Sequence, residues 1–84
     1  MMWWSTTTQA YAISDGVKFL CWGVALPQVW AEPAKAAEVA ARMHFDPKRM
    51  AGPARVEEVV AVRSWWGSLL DVTHPTIATH KSFG

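Results

Sequence analysis

Residues 53–72, PARVEEVVAVRSWWGSLLDV, decide the fold, because they can be read in two periods. As a helix, Pro53 occupies a favourable first position. Glu57 and Glu58 then fall early, where negative charge suits the helix dipole. Val56, Val59, Val60, Arg63, Trp66, Gly67 and Leu70 trace one face, and Val62, Trp65 and Leu69 a second. The competing reading is a strand over Val56–Val62, suggested by its valines. The apolar positions do not alternate strictly, and Ala, Arg, Glu and Leu surround them, so the pattern favours a helix. Its apolar face is wide for a chain of 84 residues, which implies burial on more than one side.

Upstream, FDPKRMAGP (45–53) reads as a linker: Asp46-Pro47 makes a turn or a short helical start, and Gly52-Pro53 breaks the chain again. Residues 33–44 read as a second helix, opened by Pro33 after Glu32. It is rich in alanine, with Lys35, Glu38 and Arg42 as a wet stripe and Val39 and Met43 opposite. Residues 12–31, AISDGVKFLCWGVALPQVWA, read as a hydrophobic helix with Ser14 as a candidate N-cap. Residues 1–11 and 73–84 read as extended, the latter because Thr73-His74-Pro75 ends the preceding element. The expectation is a single small all-α subunit over 1–84, with 32–72 as a helical arm.

Six tryptophans mark where such a chain meets other matter: Trp3, Trp4, Trp22, Trp30, Trp65 and Trp66. Trp favours sites where one ring edge is dry and the N–H finds a partner, as at membrane boundaries and the centres of protein interfaces. We expect all six to be interface or membrane anchors. The uncharged run Phe19–Ala31 has 13 residues, short of the roughly 20 a transmembrane helix needs. Asp15 and Lys18 can pair, and Lys18 can snorkel, which extends the apolar stretch to Ile13–Ala31 and lets it span a thin bilayer. Arg42, Lys48, Arg49 and Arg55 follow it and are expected to contact lipid headgroups or a partner. By the positive-inside tendency they place the C-terminal part on the cytoplasmic or mitochondrial matrix side. The start, without a basic n-region or an arginine, matches neither a secretory leader nor a mitochondrial presequence, so any targeting signal is expected to be internal or uncleaved.

Chemistry is harder to find. Eight Lys and Arg against seven Asp and Glu give a formal charge of +1, which is no nucleic-acid-binding balance. His44, His74 and His80 lack metal-ligand spacing, and Cys21, between Leu20 and Trp22, reads as a buried apolar thiol. Ser64 and Ser68 lie in no nucleophile elbow, and Glu57 and Glu58 diverge by about 100° on a helix. No catalytic residue, cofactor or metal is therefore expected.

The layout resembles that of small respiratory-chain accessory subunits: one short span near the N terminus, a charged helical arm and an extended tail. That resemblance implies a non-catalytic structural subunit of a multi-subunit membrane complex, such as one of the mitochondrial inner membrane, in contact with other subunits and with lipid. The alternative is a cytoplasmic all-α binding module, of phage or bacterial type, that occludes a partner.

Overall fold

The 53–72 stretch is a β-hairpin. The computed structural model describes residues 4–21 and 26–83. Among these the chain forms β1 (Ser5–Ser14), β2 (Val29–Trp30), α1 (Pro33–Ala41), β3 (Arg55–Ser64) and β4 (Leu69–Thr73). The strands make one antiparallel sheet in the order β2-β1-β3-β4. The all-α expectation is overturned, and among the described residues only the second of its three helices contains a helix.

The reason lies in a distant partner. β1 and β3 pair along their whole length, from Ser5 opposite Ser64 to Ser14 opposite Arg55. β1 supplies Thr6, Thr7 and Thr8, and β3 supplies Val56, Val59, Val60 and Val62, all β-branched and well suited to a pleated surface. The apolar residues of β3 do not alternate cleanly because Val56, Val60 and Val62 lie on the face opposite the buried Val59 and Ala61, with Val56 and Val62 half-buried there and Val60 exposed.

Alternation along the strands sorts the core into two layers. Ala10, Ala12, Val59, Ala61 and Val72 share one face and are covered by Phe19 and Ile77. Ile13 points to the other face, where it packs with Leu20, Met50 and Phe83, against Trp30 of β2 and Val39 and Ala40 of α1. Phe19 and Leu20, adjacent in the loop after β1, thus enter opposite layers. α1 reaches this second face through Ala36, which is fully buried; the small side chain lets the helix sit close to the strands.

The hydrophobic helix expected over 12–31 is also corrected. Its first residues complete β1, and Ser14-Asp15-Gly16 then forms a turn. The Gly16 N–H donates to Ser14 Oγ (2.8 Å), and the N–H groups of Val17 and Lys18 donate to Asp15 Oδ1 (2.8 and 2.7 Å). Gly16 has φ +100°, a left-handed conformation that glycine adopts without penalty. Ser14 therefore caps a turn rather than a helix. Among the described residues no helix is long and apolar enough to cross a membrane, so the expected transmembrane helix is withdrawn.

Residues 74–83 run back beside the loop after β1. The Phe19 N–H donates to the Lys81 carbonyl and the Phe83 N–H to the Phe19 carbonyl. Arg49 Nη2 donates to the Phe83 carbonyl at 2.9 Å. The molecule is elongated, 48 × 24 × 23 Å. A ten-residue strand covers about 34 Å, so the β1–β3 ladder supplies most of the long axis. Both hydrophobic layers gather toward one end, and Ser5–Gln9 with the β3–β4 turn form an arm at the other.

Candidate functional site

Among the described residues, three of the four exposed large aromatics (Trp4, Trp65 and Trp66, with Phe45 the fourth) lie at the free end of the arm. β3 ends in a tight turn that begins at Ser64. The Ser64 carbonyl accepts from Gly67 N–H (2.9 Å), and the Ser64 N–H donates to the Ser68 carbonyl (2.8 Å). The Ser64 hydroxyl also accepts from Ser68 N–H (3.1 Å). Gly67, at φ +95°, lets the chain reverse, and Arg63 Nη1 donates to its carbonyl at 3.1 Å. A turn so held puts Trp65 and Trp66 at its apex, 63% and 57% exposed. Their rings meet edge to face, with centroids 5.4 Å apart and planes at 86°.

Two further residues join them. Trp4 stands just before β1, whose Ser5 pairs with Ser64, so the start of β1 lies beside the turn; Trp4 is 60% exposed. Leu70 is carried by an irregularity in the hairpin: Val62 pairs with Asp71 and Arg63 with Leu69, leaving Leu70 as the extra residue of a bulge. Bulges re-aim side chains, and Leu70 is exposed here. Trp4, Ser5, Ser64, Trp65, Trp66 and Leu70 line a cleft of about 240 Å³. None of these six side chains is titratable, so the cleft has the means to bind an apolar group but no general acid, base or charged ligand of its own.

A larger, shallow depression of about 670 Å³ lies along the middle of β1 and β3, with Glu57, Glu58, Thr73 and His74 at its margin. Of its three titratable side chains, Glu57 and His74 already engage each other. His74 Nδ1 accepts from the backbone N–H groups of Thr76 and Ile77 (3.1 and 3.0 Å), which leaves Nε2 to donate to Glu57 Oε1 at 3.3 Å. Glu57 Oε2 takes Arg55 Nε at 2.7 Å. Nε2 thus ties the start of the tail to β3 while Nδ1 orders the tail itself, and His74 also packs against Phe19, 5.6 Å between centroids. This pair acts as a clamp.

The remaining expected site residues fall elsewhere. Trp30 lies in β2, packed against the Ile13 layer, away from the arm tip. Trp3 and Trp22 are outside the described residues. Of the four cations, Arg49 donates to the Phe83 carbonyl, Arg55 pairs with Glu57, and Arg42 and Lys48 are exposed at the end of α1 and in the following turn. Among the described residues no group of three His, Cys, Asp or Glu side chains is arranged to hold a metal. Cys21 is buried; burial pushes its thiol above the usual range, against a smaller opposing effect from the Ser82 side chain.

Reading by period missed Leu70 and the role of Asp15. The bulge leaves no mark in the local pattern. Asp15 did have a signal, the Ser-Asp-Gly triplet that favours turns. No protein family, characterised protein or solved structure matches this chain.

Proposed function

We propose that the chain is a non-catalytic accessory subunit or binding module that docks on a protein partner through the tip of its β arm. The carrying observation is the cluster of Trp4, Trp65, Trp66 and Leu70, all more than half exposed, around one cleft at the end of an elongated molecule. Contiguous apolar exposure of this kind marks interaction sites, and Trp is the residue most enriched among interface hot spots. The turn hydrogen bonds hold the apex backbone and the two rings rest edge to face on each other, which lowers the ordering cost of association. With no titratable side chain among those lining the cleft, binding is the activity that it supports.

Replacing Trp65 and Trp66 together by Ala tests this reading. The turn is held by Ser64, Gly67 and Ser68, so the variant keeps its fold. Loss of two hot-spot rings weakens binding by roughly 30-fold or more. Co-purification of the tagged full chain from its native cells is expected to yield a stoichiometric protein partner that the double variant loses. Unchanged co-purification rules the tip out. Flotation of the purified chain with lipid vesicles, abolished by the same substitutions, transfers the tip to a bilayer surface instead.

A further inference from the structure

The arm has a second unpartnered feature, independent of its tip. β1 is bordered by β3 on one side, but on the other β2 pairs only with Tyr11 and Ala12. Hydrogen-bonding direction alternates along an antiparallel strand. The Leu20 N–H donates to the Ile13 carbonyl from the side away from β3, which fixes the phase: odd-numbered residues of β1 face outward. Ser5, Thr7 and Gln9 therefore present three N–H and three C=O groups along a free edge, and no described residue pairs with them.

Other edges in this sheet are blunted. β4 is five residues long, bears Asp71 and the bulge at Leu70, and runs into His74-Pro75. β2 is two residues long and is soon followed by Glu32-Pro33. Short edges, charges, bulges and prolines are the devices that discourage strand addition. Ser5–Gln9 has none of them; the sequence reads Ser-Thr-Thr-Thr-Gln, and no charged side chain occurs before Asp15.

We propose that this edge joins two copies of the chain, β1 against β1 in antiparallel register about a two-fold axis through Thr7. That axis sets Thr7 opposite its own copy and Ser5 opposite the second copy's Gln9. Each of these three positions is a hydrogen-bonded pair, so all six outward groups are satisfied at once. The free window is its own complement in length: β2 closes it at Tyr11, and β1 begins at Ser5. Charge also favours a second copy. Nothing in the window attracts a charged foreign strand, whereas two uncharged copies meet without repulsion and pair Thr with Thr, a favourable cross-strand combination. The overall charge of +1 adds little opposition. Five paired residues are few beside the roughly 1,200–2,000 Å² of a standard interface, so the dimer dissociates on dilution.

Sedimentation equilibrium of the full chain over a concentration series tests the inference. The mass is expected to rise from 9.3 kDa toward twice that value. Thr7→Lys sets two cations face to face on the axis and is expected to raise the dissociation constant by roughly tenfold or more. Thr7→Pro removes an outward N–H that the β1–β3 ladder does not use and is expected to do the same; should it fail to fold by circular dichroism, Thr7→Lys carries the test. Under mild oxidation Thr7→Cys should crosslink, since paired Cα atoms lie about 5.5 Å apart, within disulfide range, whereas Thr8→Cys should not. A chain that stays at 9.3 kDa up to about 1 mM overturns the proposal. So does a dimer that folded Thr7→Lys leaves intact. Dimerisation abolished by the Trp65/Trp66 double substitution but not by Thr7→Lys overturns it as well and assigns self-association to the tip.

Discussion

At the scale of single residues, Asp15 does the most to fix a chain path. It is 5% exposed, and its carboxylate accepts from the N–H groups of Val17 and Lys18, within its own turn, and from Ala51, far along the chain, at 2.9 Å. Lys18 completes the crossing: its ammonium lies 3.9 Å from Asp15 Oδ2 and donates to the Arg49 carbonyl at 2.9 Å. Burial opposes the charge on Asp15, yet the three backbone donors and Lys18 outweigh it and hold the carboxyl below its ordinary value. The sign of the pH dependence follows. A carboxyl whose pKa is lower folded than unfolded stabilises the fold above the unfolded value, and that stability is lost as pH falls through the folded one. Asp15→Asn is therefore expected to cost about 1–3 kcal/mol at pH 7. The gap to the parent chain should narrow as pH falls below about 4. Urea titrations of both chains at pH 7 and in acid check this, and a gap that does not change with pH counts against it.

At the scale of elements, what could be read locally was read, and what depended on a partner was not. Pro33 after Glu32 and the alanines that follow are local signals, and α1 falls within the stretch they mark. β3 carried a local signal too, the valines that suggest a strand over Val56–Val62, but without strict alternation it did not outweigh the helical reading. The periodicity of Val56–Val62 is ambiguous because Val59 and Ala61 face one core layer while Val56 and Val62 are half covered on the other side. Deciding between helix and strand required knowing that Ser5–Ser14 lies alongside, and nothing within 53–72 says so. Trp65-Trp66-Gly67-Ser68 misled for a related reason: a helical face absorbs two aromatics and a glycine as readily as a turn does. The sequence singles out the tryptophans without grouping them: it takes the β1–β3 register to bring Trp4 beside Trp65 and Trp66, while Trp30 packs on the Ile13 layer and Trp3 and Trp22 lie outside the described residues. The alanines of α1 also make a testable claim. Ala36 is fully buried against the sheet and Ala37 is exposed. Ala36→Leu overpacks the contact and is expected to destabilise by about 1–3 kcal/mol, a fall in Tm of roughly 4–8 °C per kcal/mol for a domain this small. Ala37→Leu should leave stability within about 0.5 kcal/mol. Equal effects at the two positions would place the helix with a different face inward.

At the scale of the whole molecule, the two ends differ in how they are held. The ladder pairs even-numbered residues of β1 with β3 throughout, from Thr6 and Thr8 in the arm to Ala12 and Ser14 in the core. Ala12 and Ser14 are fully buried, between layers that include Phe19 on one side and Ile13, Leu20 and Phe83 on the other. Thr6 and Thr8 form the same backbone bonds but lie exposed, with one edge of β1 open to solvent. Local opening costs less where few apolar groups are buried and the backbone bonds are reached by water. Native-state amide exchange in dilute solution is therefore expected to fall into a gradient, with Ala12 and Ser14 opening only with global unfolding and Thr6 and Thr8 exchanging through a cheaper fraying of the arm. Ser5, Thr7 and Gln9, whose N–H groups face outward, should exchange fastest of all in the monomer, and their rates alone should fall as concentration rises if the edge is occupied by a second copy. Uniform protection of even-numbered amides from Thr6 to Ser14 would mean that the arm is held as firmly as the core. The gradient bears on the proposed docking as well: an apex whose backbone is held by turn hydrogen bonds, at the end of a ladder that frays, carries its paired rings as a unit while the arm adjusts its approach.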